Sequence, residues 1–346
     1  MRAFYHPEQA LHDPQQYMRH GRIIAPKDLP ARTTAFLEAL ARAGIATELP
    51  GEAPEARRAV HTAGFLRYLE TGWDRWQALP DRGPEVWPNT FPYWSGRPED
   101  RARPDCPAEH VIAQTGWYLG DLSVSLGPQT WTSIRRSCDT AVAAADAVRA
   151  GVGQVYALCR PSGHHARADR ASGFCFLNNS AVAAARLRET FARVAVLDVD
   201  AHHGDGTQQI FYTRPDVLTV SIHADPANYY PFFTGYPGEI GCGDGAGANL
   251  NLPLAHGSTA TAMFAAVDDA SARIRAFGAE ALVVALGFDA HAQDPIGVLR
   301  LQSGDFAGIG RRVRALGLPT VVVQEGGYAM EALTDCLSAF LEGLAA

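Results

Sequence analysis

Asp198, Asp200 and His202 alternate at the end of the apolar run Val194–Val199, and His203, Gly204, Asp205 and Gly206 follow directly. The run reads as a buried strand. Side chains of an extended chain repeat every two residues, so the two carboxylates and the imidazole share one face while Val199 and Ala201 take the other. Charges at the end of a core strand cost on the order of several kcal/mol unless compensated, and a bound cation is the simplest compensation. Asp289, beyond the apolar run Leu282–Leu286, can complete a ligand set with Asp200 and His202. Two carboxylates and one imidazole suit zinc or another first-row divalent ion and leave positions open for water and substrate, as a catalytic site requires.

Three more apolar runs end in unusual chemistry. Val155–Cys159 leads to Arg160-Pro161-Ser162-Gly163-His164-His165, Val217–Ile222 to His223-Ala224-Asp225, and Thr320–Val323 to Gln324-Glu325-Gly326-Gly327-Tyr328. Ligands of open parallel α/β sheets bind beyond the carboxyl ends of the strands, so these loops are expected to share one site. Asp198 and Asp205 can each orient one imidazole of the His164-His165 pair, and a carboxylate-held histidine beside an activated water is a general base. Asp205 is equally placed to cap the helix that begins near Gly206. Tyr328, after its Gly-Gly turn, can donate a phenolic hydroxyl to an oxyanion formed on substrate. His203, His223 and His291 are expected as supporting or satisfied buried histidines rather than ligands.

The elements that must carry these loops alternate along the chain. Ala-rich helix candidates Ser133–Arg149, Asn179–Phe191, Asp205–Tyr212, Thr259–Phe277, Ser303–Leu316 and Met330–Leu344 separate the apolar runs, the signature of a parallel sheet with crossover helices. Ala3–Tyr5 and Ala31–Ala43 add a first strand and helix, and Gly51–Arg58 reads as a polar turn. The chain has 346 residues, of which 47% are hydrophobic, and no evident linker, so a single α/β domain over 1–346 is expected, with a mostly parallel central sheet of about eight strands and helices on both faces. Residues 80–108 stand apart, with Pro80, Pro84, Pro88, Pro92, Pro98, Pro104 and Pro107 set among Trp87, Phe91, Tyr93 and Trp94. That composition predicts a long loop packed on the domain, a lid, or a subunit contact.

Composition excludes several classes. The formal charge is −7 and the only lysine is Lys27, so no basic patch invites a nucleic acid. Met1–Pro7 lacks a signal-peptide core and no apolar run spans a bilayer, which predicts a cytoplasmic protein with no membrane partner. Cys106, Cys138, Cys159, Cys175, Cys242 and Cys336 form no C-x-x-C pair, against a disulfide framework or zinc-thiolate site.

Pro161–His165, Gly173-Phe174-Cys175-Phe176-Leu177-Asn178-Asn179, Asp198–Gly206, Gly287-Phe288-Asp289 with Asp294-Pro295, and Glu325–Tyr328 together resemble the histone deacetylase superfamily, with its arginase-deacetylase fold, and within it the bacterial acetylpolyamine amidohydrolases. The resemblance spans nearly the whole chain. It implies a Zn²⁺ on Asp200, His202 and Asp289, His165 as general base and later acid oriented by Asp205, His164 paired with Asp198 to stabilise charge, and Tyr328 polarising an acetamide carbonyl. It further implies a structural K⁺ held by Asp198, the backbone carbonyls of Asp200 and His202, Ser221 and Ile222. Gly173 and Phe174 would form one wall of a substrate tunnel and Tyr230 the opposite one. The 80–108 loop would pack across a homodimer and narrow the mouth, favouring small acetylated amines such as acetylputrescine and acetylcadaverine.

Two positions depart from that family. Phe174 stands where the polyamine enzymes have tyrosine, as in the lysine deacetylases, and Tyr17 or Met18 stands where they have an acidic residue. Glu99, Asp100, Asp105, Glu109 and Asp121 are the candidates to meet a remote ammonium. A lysine deacetylase acting on peptides or proteins is therefore the alternative enzyme. A two-manganese hydrolase lacks its extra ligands, and a non-catalytic acetyl-amine binder leaves every catalytic group unused.

Overall fold

The computed structural model describes residues 1–92 and 103–346. Its strands are β1 Arg2–Phe4, β2 Tyr17–Arg19, β3 Arg22–Ile24, β4 Thr47–Glu48, β5 Gln154–Ala157, β6 Val194–Asp198, β7 Val217–Ala224, β8 Asn249–Leu254, β9 Ala281–Leu286 and β10 Thr320–Gln324. All but β2 and β3 form one sheet in the order β4-β1-β5-β10-β9-β6-β7-β8, and every pairing in it is parallel. This is the α/β class and strand number read from the sequence. The central strands are buried on both faces, which is why they appear as unbroken β-branched runs.

Alternate residues of one strand feed two cores. Leu282, Val284 and Leu286 pack with α1 (Ala31–Arg42), α8 (Ala260–Phe277), α9 (Phe306–Arg314) and α10 (Leu333–Ala345). Ala281 and Val283 face the opposite side, with α3 (Ala63–Gln77), α5 (Thr130–Arg149) and α6 (Asn179–Leu187). The remaining helices are α2 (Pro54–Arg57), α4 (Val111–Tyr118) and α7 (Asp205–Phe211). α2 corrects the polar-turn reading of Gly51–Arg58: Pro54 at the start of the turn has the φ of a helix and needs no N–H partner. Most predicted boundaries move by a few residues. Met330 falls outside α10, which starts at Leu333, and Ser303–Asp305 form a separate 3₁₀ turn before α9.

β2 and β3 form an antiparallel hairpin closed by His20 and Gly21, both at positive φ (49° and 74°), as a two-residue turn of this hand demands. The described ends of the proline-rich segment are fastened to the body of the molecule. Val86 pairs with Leu126 by backbone hydrogen bonds, and Arg103 bonds Asp169 while its guanidinium lies 4.6 Å from the Trp117 ring centre. Tyr93, Trp94, Pro98, Glu99 and Asp100 lie outside the described residues. All six cysteines are free, and no helix among the described residues is long and apolar enough to cross a membrane.

Candidate active site

Five strands adjacent in the sheet, β5, β10, β9, β6 and β7, deliver the five loops singled out by sequence to one end of the sheet. β6 stops at Asp198, and Asp200 and His202 lie just past it, buried. Donor atoms of Asp200, His202 and Asp289 all lie within 4.8 Å of one another. His202 Nδ1 faces both carboxylates, 2.7 Å from Asp289 Oδ2 and 3.2 Å from Asp200 Oδ1.

This donor set fits a divalent cation. Backbone amides of His202 and Gly326 take one oxygen each of Asp200, and Ala201 N–H takes Asp289 Oδ1, which fixes the carboxylates without neutralising them. No arginine or lysine among the described residues pairs with either acid, so the cluster carries excess buried negative charge. In response, Asp289 is pushed up to about 7 by burial and by Asp200. His202 rises to about 9: burial would lower it, but Asp289 and Asp200 override burial. Glycines make room for the acids, since a Cβ on Gly287 would lie 2.1 Å, and one on Gly326 2.5 Å, from Asp200 Oδ2. His164, Cys175 and Glu325 form a second convergent group, but N–H and O–H donors point at Glu325 and burial keeps the Cys175 thiol protonated. That group suits hydrogen bonding, not a cation.

The two histidines of the β5 loop each meet a different acid. His164 Nδ1 lies 2.9 Å from Asp198 Oδ2, and His165 Nδ1 lies 2.8 Å from Asp205 Oδ1. A carboxylate only accepts, so each Nδ1 donates, and His164 Nε2 lies 3.8 Å from Asp200 Oδ1. Burial pulls the His164 imidazolium down, yet Asp198 and Asp200 more than offset it and hold its pKa well above the usual range. His165 is pushed down to about 4 by burial and by the charge of His164, so it stays a neutral base. Asp205 also accepts from Arg167 Nε (3.1 Å) and Nη2 (2.9 Å), a pairing not foreseen from sequence. Its carboxylate does not cap α7: the N-cap is Gly204, and no side chain caps that end.

Tyr328 stands opposite. Its backbone N–H donates to Asp294 Oδ2, and its ring lies 5.7 Å from Phe174 and 4.8 Å from the Arg32 guanidinium. Burial raises its phenol well above the usual range, so it remains a donor. Arg32, itself buried on Asp28, donates to the carbonyls of Glu325 and Gly327 and fixes this loop. Sequence reading missed it, because its partners lie 293 and 295 residues away.

These groups line a cavity of about 410 Å³. His164, His165, His202 and Tyr328 are at its chemical end, Gly173, Phe174, Tyr229 and Tyr230 along the walls, and Tyr17, Met18, Arg19 and His20 of the β2–β3 hairpin among its lining. Phe174, at φ 66°, makes a T-shaped contact with the Tyr17 ring at 5.2 Å, and Tyr230 makes one with His165 at 5.0 Å. Aromatic side chains make up much of the cavity's wall. None of the proposed ammonium partners among the described residues lines it. Asp121 is occupied by Tyr230 Oη, Ser123 and Gly173 N–H, Asp105 by Arg67 and Gly64 N–H, and Glu109 is exposed. Arg19, unforeseen, lines the cavity and has no ion-pair partner among the described residues.

Asp198 and Ser221 are register partners across β6 and β7, beside a small cavity that both line, and Ile222 is the next residue on β7. His223 is satisfied by Ser221 Oγ and Gly235 O, and His291 contacts Ser303 Oγ and Gln293 N–H. His203 departs from expectation: it is buried against His223, 4.6 Å between ring centres, with neither nitrogen hydrogen-bonded.

A sheet delivering an oxygen-and-nitrogen ligand cluster, two acid-held histidines and a phenol to one slot defines a metal-dependent hydrolase architecture. The chain belongs to the histone deacetylase domain family, whose model matches residues 27–344. It is 45% identical over 350 residues to the acetylpolyamine amidohydrolase of Burkholderia pseudomallei (strain 1710b), covering 100% of this chain and 99% of that one. To the acetylpolyamine amidohydrolase of Mycoplana ramosa it is 39% identical over 350 residues, covering 100% of both chains. A crystal structure of the acetylpolyamine aminohydrolase from Burkholderia pseudomallei superposes with a TM-score of 0.94 at 44% identity, covering 100% of this chain and 99% of that one.

Proposed function

We propose that this protein is a zinc-dependent deacetylase that hydrolyses the acetamide of acetylated polyamines and diamines, such as acetylputrescine and acetylcadaverine, to acetate and the free amine. The observation that carries this reading is the convergence of Asp200, His202 and Asp289 with two acid-held histidines and Tyr328 in one aromatic slot. Full-length relatives named for acetylpolyamines support the substrate class.

Asp200, His202 and Asp289 would hold the ion, and the mixed nitrogen and oxygen donors suit Zn²⁺. When bound, it supplies Lewis-acid polarisation of the amide carbonyl and lowers the pKa of the attacking water. His165 takes the water's proton on Nε2 while Asp205 holds its Nδ1–H, and then returns that proton to the leaving nitrogen. His164, with Nδ1–H on Asp198, presents a positive ring edge to the developing charge, and Tyr328 donates its hydroxyl to the carbonyl oxygen as it becomes an oxyanion. Phe174 and Tyr230 align the methylene chain, with Gly173 giving the backbone its close approach: a Cβ there would meet His165 at 2.4 Å.

We further assign a structural K⁺ to Asp198, Ser221, Ile222 and the carbonyls of Asp200 and His202, a single deacetylase domain over 1–346, and a homodimer contact through residues 80–108. The free cysteines support a reducing, cytoplasmic setting. Phe174 and a cavity without a lining carboxylate among the described residues favour, as a second reading, the acetyl-lysine of peptides. Steady-state kinetics on zinc-loaded protein decide between them: higher kcat/KM on acetyldiamines supports the first reading, and higher kcat/KM on an acetyl-lysine peptide replaces it.

A further inference from the structure

Glu325 is completely buried, yet no arginine or lysine among the described residues pairs with its carboxylate. Such a group is costly to bury, and three hydrogen-bond donors together with the nearby His164 imidazolium compensate it. Oε2 accepts from the backbone N–H of Gly163 (2.6 Å) and of His164 (3.1 Å), while Oε1 accepts from Ser180 Oγ (2.7 Å) in the first turn of α6. One carboxylate therefore joins three elements: the end of β10, the loop after β5 and the start of α6.

The other bonds of the Pro161–His165 loop run elsewhere. Ser137 and Asn179 hold the Pro161 carbonyl, and Asn178 and Thr207 N–H hold that of His164. Among the described residues, Glu325 alone bonds this loop to the segment that carries Tyr328. The lever arms are short, since His165 follows the second N–H donor directly and Tyr328 lies three residues beyond Glu325. The loop has little slack on its far side, where a Cβ on Gly163 would meet Asn179 N at 2.4 Å.

We propose that Glu325 is a positioning residue that sets the separation of His165 and Tyr328 across the substrate slot, acting through the length of its side chain and its accepting oxygen rather than through its charge. This rests on the roles given above to His165 and Tyr328. A reacting geometry misplaced by about 1 Å costs on the order of 100-fold in rate.

Two substitutions separate length from charge. Because a single oxygen serves both backbone donors, the amide of Glu325→Gln can present its oxygen to Gly163 and His164 and donate its NH₂ to Ser180 Oγ. Glu325→Asp keeps the charge but ends about 1.5 Å short, one carbon–carbon bond. On zinc-loaded protein with acetylputrescine, Glu325→Gln is expected to keep kcat within about threefold of the parent, and Glu325→Asp to lose about 30- to 100-fold in kcat with KM within about threefold and metal content unchanged. A crystal structure of the Asp variant should show the Pro161–His165 loop displaced relative to Tyr328. Parent-like kcat in Glu325→Asp, an unmoved loop, or a Gln variant as impaired as the Asp variant each overturns the proposal. Should the Asp variant not fold, Ser180→Ala, which releases one carboxylate oxygen, is expected to lower kcat several-fold at unchanged KM, and an unchanged kcat there would equally overturn it. An inactive parent enzyme would instead refute the reaction assigned above, while the crystallographic comparison would still stand.

Discussion

Replacing Asp205 by asparagine should invert the proton placement on His165 while leaving the shape of the site intact. In the native protein Oδ1 accepts from His165 Nδ1 and Oδ2 accepts from two nitrogens of Arg167. An amide in the same place has one accepting oxygen. Turned toward Arg167, it presents its NH₂ to His165 Nδ1, which must then accept, so the proton moves to Nε2 and the ring can no longer take one from water. The opposite rotamer keeps the productive tautomer but aims NH₂ at two guanidinium donors, losing two charge-assisted bonds worth roughly 1.5–3 kcal/mol each. The productive rotamer is thus disfavoured by about 3–6 kcal/mol, and with a factor of ten per 1.4 kcal/mol kcat should fall about 10²- to 10⁴-fold. The removed charge also leaves the Arg167–Asp205 ion pair broken, so about 3–5 kcal/mol of stability should go with it. Acetate release at saturating acetylputrescine measures the first effect, and urea unfolding, monitored by circular dichroism, measures the second. A folded Asp205→Asn enzyme with kcat within tenfold of the parent would show that Asp205 does not set the tautomer of His165.

Two further predictions concern acid stability and tail selection. His61 is buried and neutral, its Nδ1 donating to Arg167 O and its Nε2 accepting from Asn178 N–H, and burial pushes its pKa down to about 4. A histidine depressed in the fold leaves stability whole above its unfolded value near 6.5 and erodes it as pH falls toward 4, by up to about 3 kcal/mol. His61→Gln, which can satisfy both partners, should flatten urea-unfolding stability between pH 6.5 and 4, and a pH dependence equal to that of the parent would exclude His61 as a source. Arg19 lines the slot with no ion-pair partner among the described residues, so Arg19→Glu should raise kcat/KM for acetylspermidine roughly five- to tenfold, on the order of 1 kcal/mol at a solvated rim, relative to a neutral acetylated alkylamine. Equal changes on both substrates would remove Arg19 from selection of the tail.

The parallel sheet was legible because its central strands are buried on both faces and so consist of short runs of Val, Ile, Leu and Ala ending in conspicuous chemistry. The edge strand β8, Asn-Leu-Asn-Leu-Pro-Leu, was not: its asparagines bond Gln208 and the Glu239 loop, which no local pattern announces. Helix α3 likewise escaped, since its apolar stripe of Phe65, Tyr68, Leu69 and Gly72 sits among charged and aromatic residues.

By itself the sequence determined which side chains could ligate, accept a proton or donate to an oxyanion, because those capacities belong to residue type and to spacing along one strand or turn. The gathering of Asp200, His202 and Asp289 could be inferred, since two of the three share a loop. Tertiary structure alone decided that Arg167 shares the carboxylate of Asp205, that Tyr230 occupies Asp121, that Arg19 lines the slot, and that Glu325 ties the His164-His165 loop to Tyr328 across 162 and 161 residues of chain. Hydrogen bonds and burial depend on which elements the sheet order makes neighbours, and strands β5 and β10, far apart in the chain, are adjacent only once it has folded.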